Sequence, residues 1–265
     1  MPMAIRAGLA EFISGVRLWP VWVALAQEDI DDQHRRTTLG PAWLTINYLL
    51  FAGTFIFVIH RSGPEQASFY APYAAIGLMI WFYLMDNINQ AVTLFAREEG
   101  YIKGTRLPLS VYVLRLGMQA LIRAIYTLIG CMAIVMISGF FPTLSWLWSV
   151  LAIALILATI PAVIIILAML GTFFPDSQFI ISNLMRVGMF LTPIFWMYTS
   201  GEGGVRGVFY YWNPFTYFIN LVRDPVLSGE PHIGDAVTCV AISAVAWVAA
   251  LHLLGRLRRD VVFAL

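Results

Sequence analysis

The chain has 265 residues, 60% hydrophobic and 12% charged, with a formal net charge of +1 and a mean hydropathy of +0.79. Soluble domains carry about a quarter charged residues, so half that share together with nine tryptophans means that most of the surface faces lipid. A single soluble core is excluded, and the near-neutral charge gives no case for nucleic-acid binding.

Residues 3–18 read as an amphipathic helix lying on the membrane surface, with Trp19 and Trp22 at headgroup depth. The run LWPVWVALA at 18–26 ends in an A-x-A pattern like a signal-peptidase site. Glu11 and Pro20 suit a signal peptide poorly, however, so the interfacial reading is preferred. Six apolar runs follow, at 39–60, 71–95, 110–137, 145–173, 177–198 and 235–255. Each is about long enough to cross a bilayer as a helix.

The flanking charges orient these spans. Arg6, Arg17, Arg35, Arg36, Arg97, Lys103, Arg106, Arg256, Arg258 and Arg259 fall on the side of both termini. Arg61, Arg206 and Arg223 fall on the other, and ten against three predicts cytosolic termini, because cytoplasmic loops carry the excess of Lys and Arg. The expected fold is therefore an all-α integral membrane protein with one domain over 1–265. It comprises an interfacial segment at 1–38, spans one to five over 39–198, an outer segment at 199–234, and the sixth span with a cytosolic tail at 235–265.

The second span carries Asp86, Asn89, Gln90 and Thr93 on one helical face, and the third carries Arg115, Gln119 and Arg123 at spacings of four. Asn183 and Arg186 lie together in the fifth. A charge in hydrocarbon costs several kcal/mol, so these groups face other helices or water. At 1.5 Å per residue, Asp86 lies about 13 Å from the inner end of its span, Arg115 about 8 Å and Arg186 about 15 Å. This predicts that Asp86 pairs with Arg115 or Arg186, with Arg123 deeper. Interhelical glue and the lining of a hydrophilic path are both open readings. One aspartate among three arginines makes a poor proton relay, and His60 reads as an interface residue.

Residues 98–112, EEGYIKGTRLPLSVY, contain the only lysine of the chain. Glu98, Glu99, Lys103 and Arg106 make a compact mixed-charge knob suited to docking a protein, whereas a lipid-binding loop would be mainly basic. Pro108 then opens the third helix, where its missing N–H does no harm. Cys131 and Cys239 lie in separate apolar runs without metal-ligand spacing and read as packing residues.

Residues 204–231 are strongly aromatic and broken by Pro214, Pro225 and Gly229 into pieces too short to span. Irregular backbone at membrane depth needs protein or water around it, which fits a re-entrant pair of short helices. Trp and Tyr rings also sit against sugar faces. Tyr211, Trp212, Asn213, Pro214, Phe215 and Tyr217 are thus candidates for a channel or gate that passes a carbohydrate, the plain alternative being an interfacial aromatic belt.

Four stretches carry a resemblance: LGPAWLTIN at 39–47, TRLPLSVYVLR at 105–115, LTPIFW at 191–196 and YWNPFTYFINLVRDPVL at 211–227. Together, and in this order, they resemble the polysaccharide-export permeases of the type-2 ABC transporter family, which export O-antigen, capsular polysaccharide or teichoic acid. The resemblance implies a homodimer in the bacterial inner membrane, joined to two copies of a separate ATPase that holds ATP and Mg, with a lipid-linked polysaccharide as substrate. No cofactor is expected on this chain, which lacks a G-x-x-x-x-G-K-[ST] pattern. By the same resemblance residues 97–107 match the coupling helix, with Glu98, Glu99, Tyr101, Lys103 and Arg106 at the ATPase contact. The intramembrane polar candidates are Asp86, Asn89, Arg115, Arg123 and Arg186. The interfacial segment departs from the pattern in crowding Glu28, Asp29, Asp31 and Asp32 together.

Three other readings compete. A permease of the same family could carry a drug or a simple lipid. A membrane-embedded enzyme would need clustered catalytic residues, but the four histidines are scattered and no activated nucleophile stands out. An ion-coupled carrier would need inverted repeats, and none is visible.

Overall fold

The computed structural model describes residues 3–59, 64–198 and 204–265, excluding the side chains of 59 and 64–68. His60 and Arg61, placed by the sequence at the outer end of the first span, lie outside the described residues. All regular elements described are helices. α1 (Met3–Arg17) and α2 (Trp19–His34) meet at a bend of 65°. They are followed by α3 (Ala42–Ile59), α4 (Pro64–Val92) and two short helices, α5 (Leu94–Arg97) and α6 (Glu99–Gly104). Next come α7 (Leu109–Ile137), α8 (Trp146–Phe173), α9 (Ser177–Leu191), α10 (Val205–Trp212), α11 (Pro214–Leu227) and α12 (Ile233–Ala264).

Among the described residues, α7, α8 and α12 are long and apolar enough to cross a membrane, as are α1 and α2 if that bent pair counts as one span. The other runs read as spans are helical but less self-sufficient. α3 has 18 residues, and α4 loses apolar character toward Asp86, Asn87, Asn89 and Gln90. The continuous helix expected over 177–198 is shorter. α9 has 15 residues, about 22 Å, against a hydrocarbon core of about 30 Å. It stops because Pro193 disfavours helical backbone at the preceding residue, and Thr192 is extended with ψ 143°.

α8 forms the centre of the bundle, packing against α12, α4, α11 and α7, and its best window has a mean hydropathy of 3.1. Pro161 opens its backbone ladder. In the turn before it, the Ala158 carbonyl accepts a hydrogen bond from Trp247 Nε1 of α12 at 2.9 Å. Thr159 and Ser243 hydroxyls meet one turn away at 2.6 Å. These polar contacts fix the register of an interface that is otherwise apolar. Cys131 and Cys239 are buried free thiols within it and beside α3.

α1 is not merely laid on a surface. It runs along α12 so closely that a Cβ on Gly8 would collide with the Leu251 carbonyl, and one on Gly255 with the Ala4 carbonyl. Small residues let helix backbones approach in this way where lipid gives no hydrophobic drive to association. Gly171 does the same for α8, whose backbone abuts the Val92 carbonyl where α4 ends.

Candidate functional site

The polar residues gather at two ends of the bundle. At the first, which we term the loop end, the chain leaves α4 at Thr93 and makes two single-turn helices before Pro108 caps α7. Ile102 is buried and fixes the inner side of α6. Thr105 Oγ1 bonds the Tyr101 carbonyl and meets the Tyr112 hydroxyl at 3.2 Å. Tyr101 is 63% exposed, Arg106 is exposed, and Lys103 Nζ reaches Glu99 Oε1 at 2.7 Å on the outer side. Tyr101, Lys103, Arg106 and Glu99 thus form an outward-facing patch.

Glu98 does not belong to that patch. It is 8% exposed and turns inward to Arg115 Nη1 at 3.0 Å. The remaining nitrogens of the same guanidinium, Nε and Nη2, hold both oxygens of Asp29 on α2 at 2.6 and 2.7 Å. Gln119 also donates to Asp29. Within the acidic cluster at 28–32, Asp29 is therefore an internal ligand of α7. α1 is fastened to the same end by Glu11. Its carboxylate accepts from the Leu109 N–H at 2.8 Å and lies 3.4 Å from Arg258 of α12, and its carbonyl accepts from Ser110 Oγ.

The pairing expected for Asp86 is corrected. Asp86 Oδ2 binds Arg123 Nε at 2.8 Å, and Oδ1 accepts from Gln90 at 2.6 Å. Two effects decide this. Eight residues on a helix turn about 80°, so Arg115 and Arg123 do not share a face. Side chains also lean toward the N-terminus of their helix. α4 runs toward the loop end and α7 away from it, so Asp86 leans up and Arg123 leans down until they meet. Arg186 and Asn183 are exposed on α9, and Arg186 has no partner among the described residues. The Asn89 side-chain oxygen is buried without a hydrogen-bond partner.

At the other end, the aromatic end, the LTPIFW turn is clasped by the residues of the YWNPFTYFINLVRDP stretch and by α4. The Tyr73 hydroxyl donates to the Pro193 and Trp196 carbonyls, both at 3.1 Å, and Tyr70 to Phe195 at 3.1 Å. Arg223, counted in the sequence as an outer surface charge, is 2% exposed. Its guanidinium lies 3.6 Å from the centre of the Tyr73 ring and donates to the Pro193 carbonyl at 2.8 Å and to Asn220. Asn213 caps α11 by accepting from the Phe215 N–H at 3.0 Å, and donates to Thr192 Oγ1 at 2.7 Å. Ser145, just before α8, and Ser149 of α8 donate to the Pro225 and Val222 carbonyls. Asp224 lies beside this clasp on α11, a helix too short to cross a bilayer, and burial raises its carboxyl above the ordinary aspartate value against the opposing pull of Arg223 and His232.

The gate candidates divide accordingly. Phe215 packs edge-on against Trp81 in the interior, and Asn213 is a helix cap. Tyr217 donates to the Tyr211 carbonyl at 2.7 Å. Tyr211 and Trp212 are exposed, Trp212 at 84%, next to the stacked rings of Tyr198 and Tyr210, 4.5 Å apart. Pro214 is exposed at the start of α11. Sequence reasoning missed Glu11, Asp29, Tyr73 and the burial of Arg223. The one available signal for Arg223 was its setting among Phe218, Ile219, Leu221 and Val222, with Asn220 three residues before it.

A helical bundle in which three of the described helices are long and apolar enough to cross a bilayer defines an integral membrane protein. Residues 21–227 match the family described as ABC-2 type transporter, and the chain belongs to that family. It is 26% identical over 179 residues to an O-antigen export system permease protein of Klebsiella pneumoniae, covering 67% of this chain and 69% of that one. A Myxococcus xanthus protein of the same description is 22% identical over 85% of this chain and 86% of its own. The polysialic acid transport protein KpsM of Escherichia coli is 25% identical over 86% of this chain and 90% of its own.

Proposed function

We propose that this chain is the membrane subunit of an ATP-driven exporter of a lipid-linked polysaccharide in a bacterial inner membrane. In this reading two copies form the path, with two copies of a separate ATPase that bind ATP and Mg. Each copy crosses the membrane six times, by α3, α4, α7, α8, α9 with the turn after it, and α12. The loop end is cytosolic and α10 and α11 are re-entrant on the outer side. The positive-charge bias supports that orientation, and the names of the relatives support the cargo.

One observation carries the reading. α6 and the loop after it offer Tyr101, Lys103 and Arg106 outward while Ile102 and the neighbouring Glu98 anchor the base of α6, the form required of a lever pushed from outside. ATP-driven closure of the partner subunits moves α6, and α7 tilts with it. The exposed rings of Tyr211 and Trp212 at the exit make weak, sequence-tolerant contacts along which a long glycan slides. Substituting Tyr101, Lys103 and Arg106 together by alanine is expected to abolish ATP-coupled export and leave a folded dimer. Undiminished export by that variant would remove the assignment. Depleting the chain in its host should likewise make lipid-linked glycan accumulate on the cytosolic side and vanish from the cell surface.

A simple lipid is the second reading of the cargo. It is favoured by a crevice without polar lining between α4, α8, α9, α11 and α12, with Leu84, Val163, Leu184, Phe215 and Ile242 among its walls. Unchanged surface glycan after depletion would leave a small molecule or a lipid as the cargo.

A further inference from the structure

We infer that Arg115 is a positioning residue that ties the docking loop to α2, so that displacement of α6 is carried into the interfacial helix as well as into α7. The inference rests on the proposed docking of α6 to an ATPase. Arg115 stands on the second turn of α7, and its planar fork is fully engaged. One edge takes both oxygens of Asp29 and the remaining nitrogen takes Glu98. No other described residue joins these three elements. The fastening through Glu11 links α1, α7 and α12 and leaves the docking loop out.

Local stability does not account for the arrangement. Glu98 occupies the N-cap position of α6, yet makes no capping hydrogen bond. Its carboxylate, which could satisfy free N–H groups of α6, is given instead to a helix 17 residues further on. A cluster of two carboxylates on one guanidinium is also a weak source of stability, because desolvation offsets most of the attraction. What such a cluster supplies is a fixed relative position of the three elements, held by directional bonds. The side chains of Arg115, Glu98 and Asp29 are only 14%, 11% and 24% exposed, so water competes little for those bonds.

The fork matters as much as the charge. A lysine at this position is a point charge on a flexible stem and cannot hold Asp29 at two points while bonding Glu98. Arg115→Lys therefore keeps the net charge and loosens the geometry, and Asp29→Asn keeps the volume and releases α2.

The test uses the full chain with its ATPase in proteoliposomes, and reads assembly, ATP turnover and glycan exported as separate quantities. Arg115→Lys and Asp29→Asn are expected to assemble and hydrolyse ATP within about twofold of the parent, while glycan exported per ATP falls by about tenfold. Glu98→Gln combined with Asp29→Asn should cost little more than either alone, since each breaks the same tie. An unchanged export-to-ATP ratio in these variants would overturn the inference, as would a loss of export in step with assembled complex. Multiplying effects in the double variant would overturn it too, and that comparison remains readable if Arg115→Lys fails to fold. Failure of the parent chain to bind the ATPase is a separate result and would count against the proposed function itself.

Discussion

The two ends of the molecule are fastened by different chemistry. At the loop end the ties run between charged side chains of separate helices: Glu11 with Arg258, and Arg115 with Asp29 and Glu98. At the aromatic end hydroxyls, an amide and one arginine bind backbone carbonyls and a neighbouring hydroxyl around residues 192–196. Partly buried ion pairs contribute little net stability, because desolvation offsets most of their attraction, and what they supply is relative position. A buried carbonyl that loses its donor has no substitute, and its full desolvation cost appears. The comparison describes a molecule with one end positioned by charge pairs that add little net stability and one end where each lost bond costs in full.

The sharpest way to break the contrast is at the aromatic end. Arg223→Ala removes the donor to Pro193, leaves Asn220 without its arginine and strips a cation from the face of Tyr73. The expected loss is about 3 kcal/mol or more, as for removal of a buried, bonded charge. Thermal unfolding of the protein in detergent measures it. A loss below about 1 kcal/mol, the scale of an exposed ion pair, would erase the difference between the ends.

The next effect is steric. Gly171→Ala drives a methyl into the Val92 carbonyl at the junction of α4 and α5, so α8 must move off the segment that leads into α6. Overpacking of this kind costs about 1–3 kcal/mol, read by the same unfolding measurement. The equivalent substitution at Gly53, which has open space around it, serves as the control and should leave the transition in place.

Much of this fold is legible in composition. All six apolar runs are helical over most of their length, the fifth only to Leu191. Pro214 and Gly229 bound α11 as expected, whereas the helix runs through Pro225 to Leu227 without a break. The loop after α4 stands out because it places four charged residues within nine positions, Glu98 to Arg106, between two long apolar runs. Partners were harder to read. A spacing of four drifts about 40° per step, so Arg115 and Arg123 look like one stripe in the sequence and serve different neighbours in the fold. Asp29 lies 86 residues from Arg115, and nothing local marks it apart from Glu28, Asp31 and Asp32. Depth along a span locates a Cα, whereas a long arginine meets its partner wherever lean and reach carry its end. The end of α9 was legible in Pro193 but hidden by the hydrophobic residues that continue past it.

The smallest effect on stability and the most informative one for cargo belong together at Trp212. It is 84% exposed, and its side chain makes no ring contact or hydrogen bond among the described residues. Trp212→Ala should therefore change unfolding by no more than about 0.5 kcal/mol. An indole in an interfacial belt and an indole that stacks on sugar make opposite demands of a replacement. The belt needs an apolar group at headgroup depth, which leucine supplies. Stacking needs a flat π face against the C–H face of a sugar ring, which phenylalanine supplies and leucine does not. If Trp212→Phe retains surface glycan and Trp212→Leu loses it at equal protein abundance, the exposed end of α10 contacts the exported chain. If leucine serves as well as phenylalanine, the ring is an anchor in the lipid interface and has no part in the proposed path.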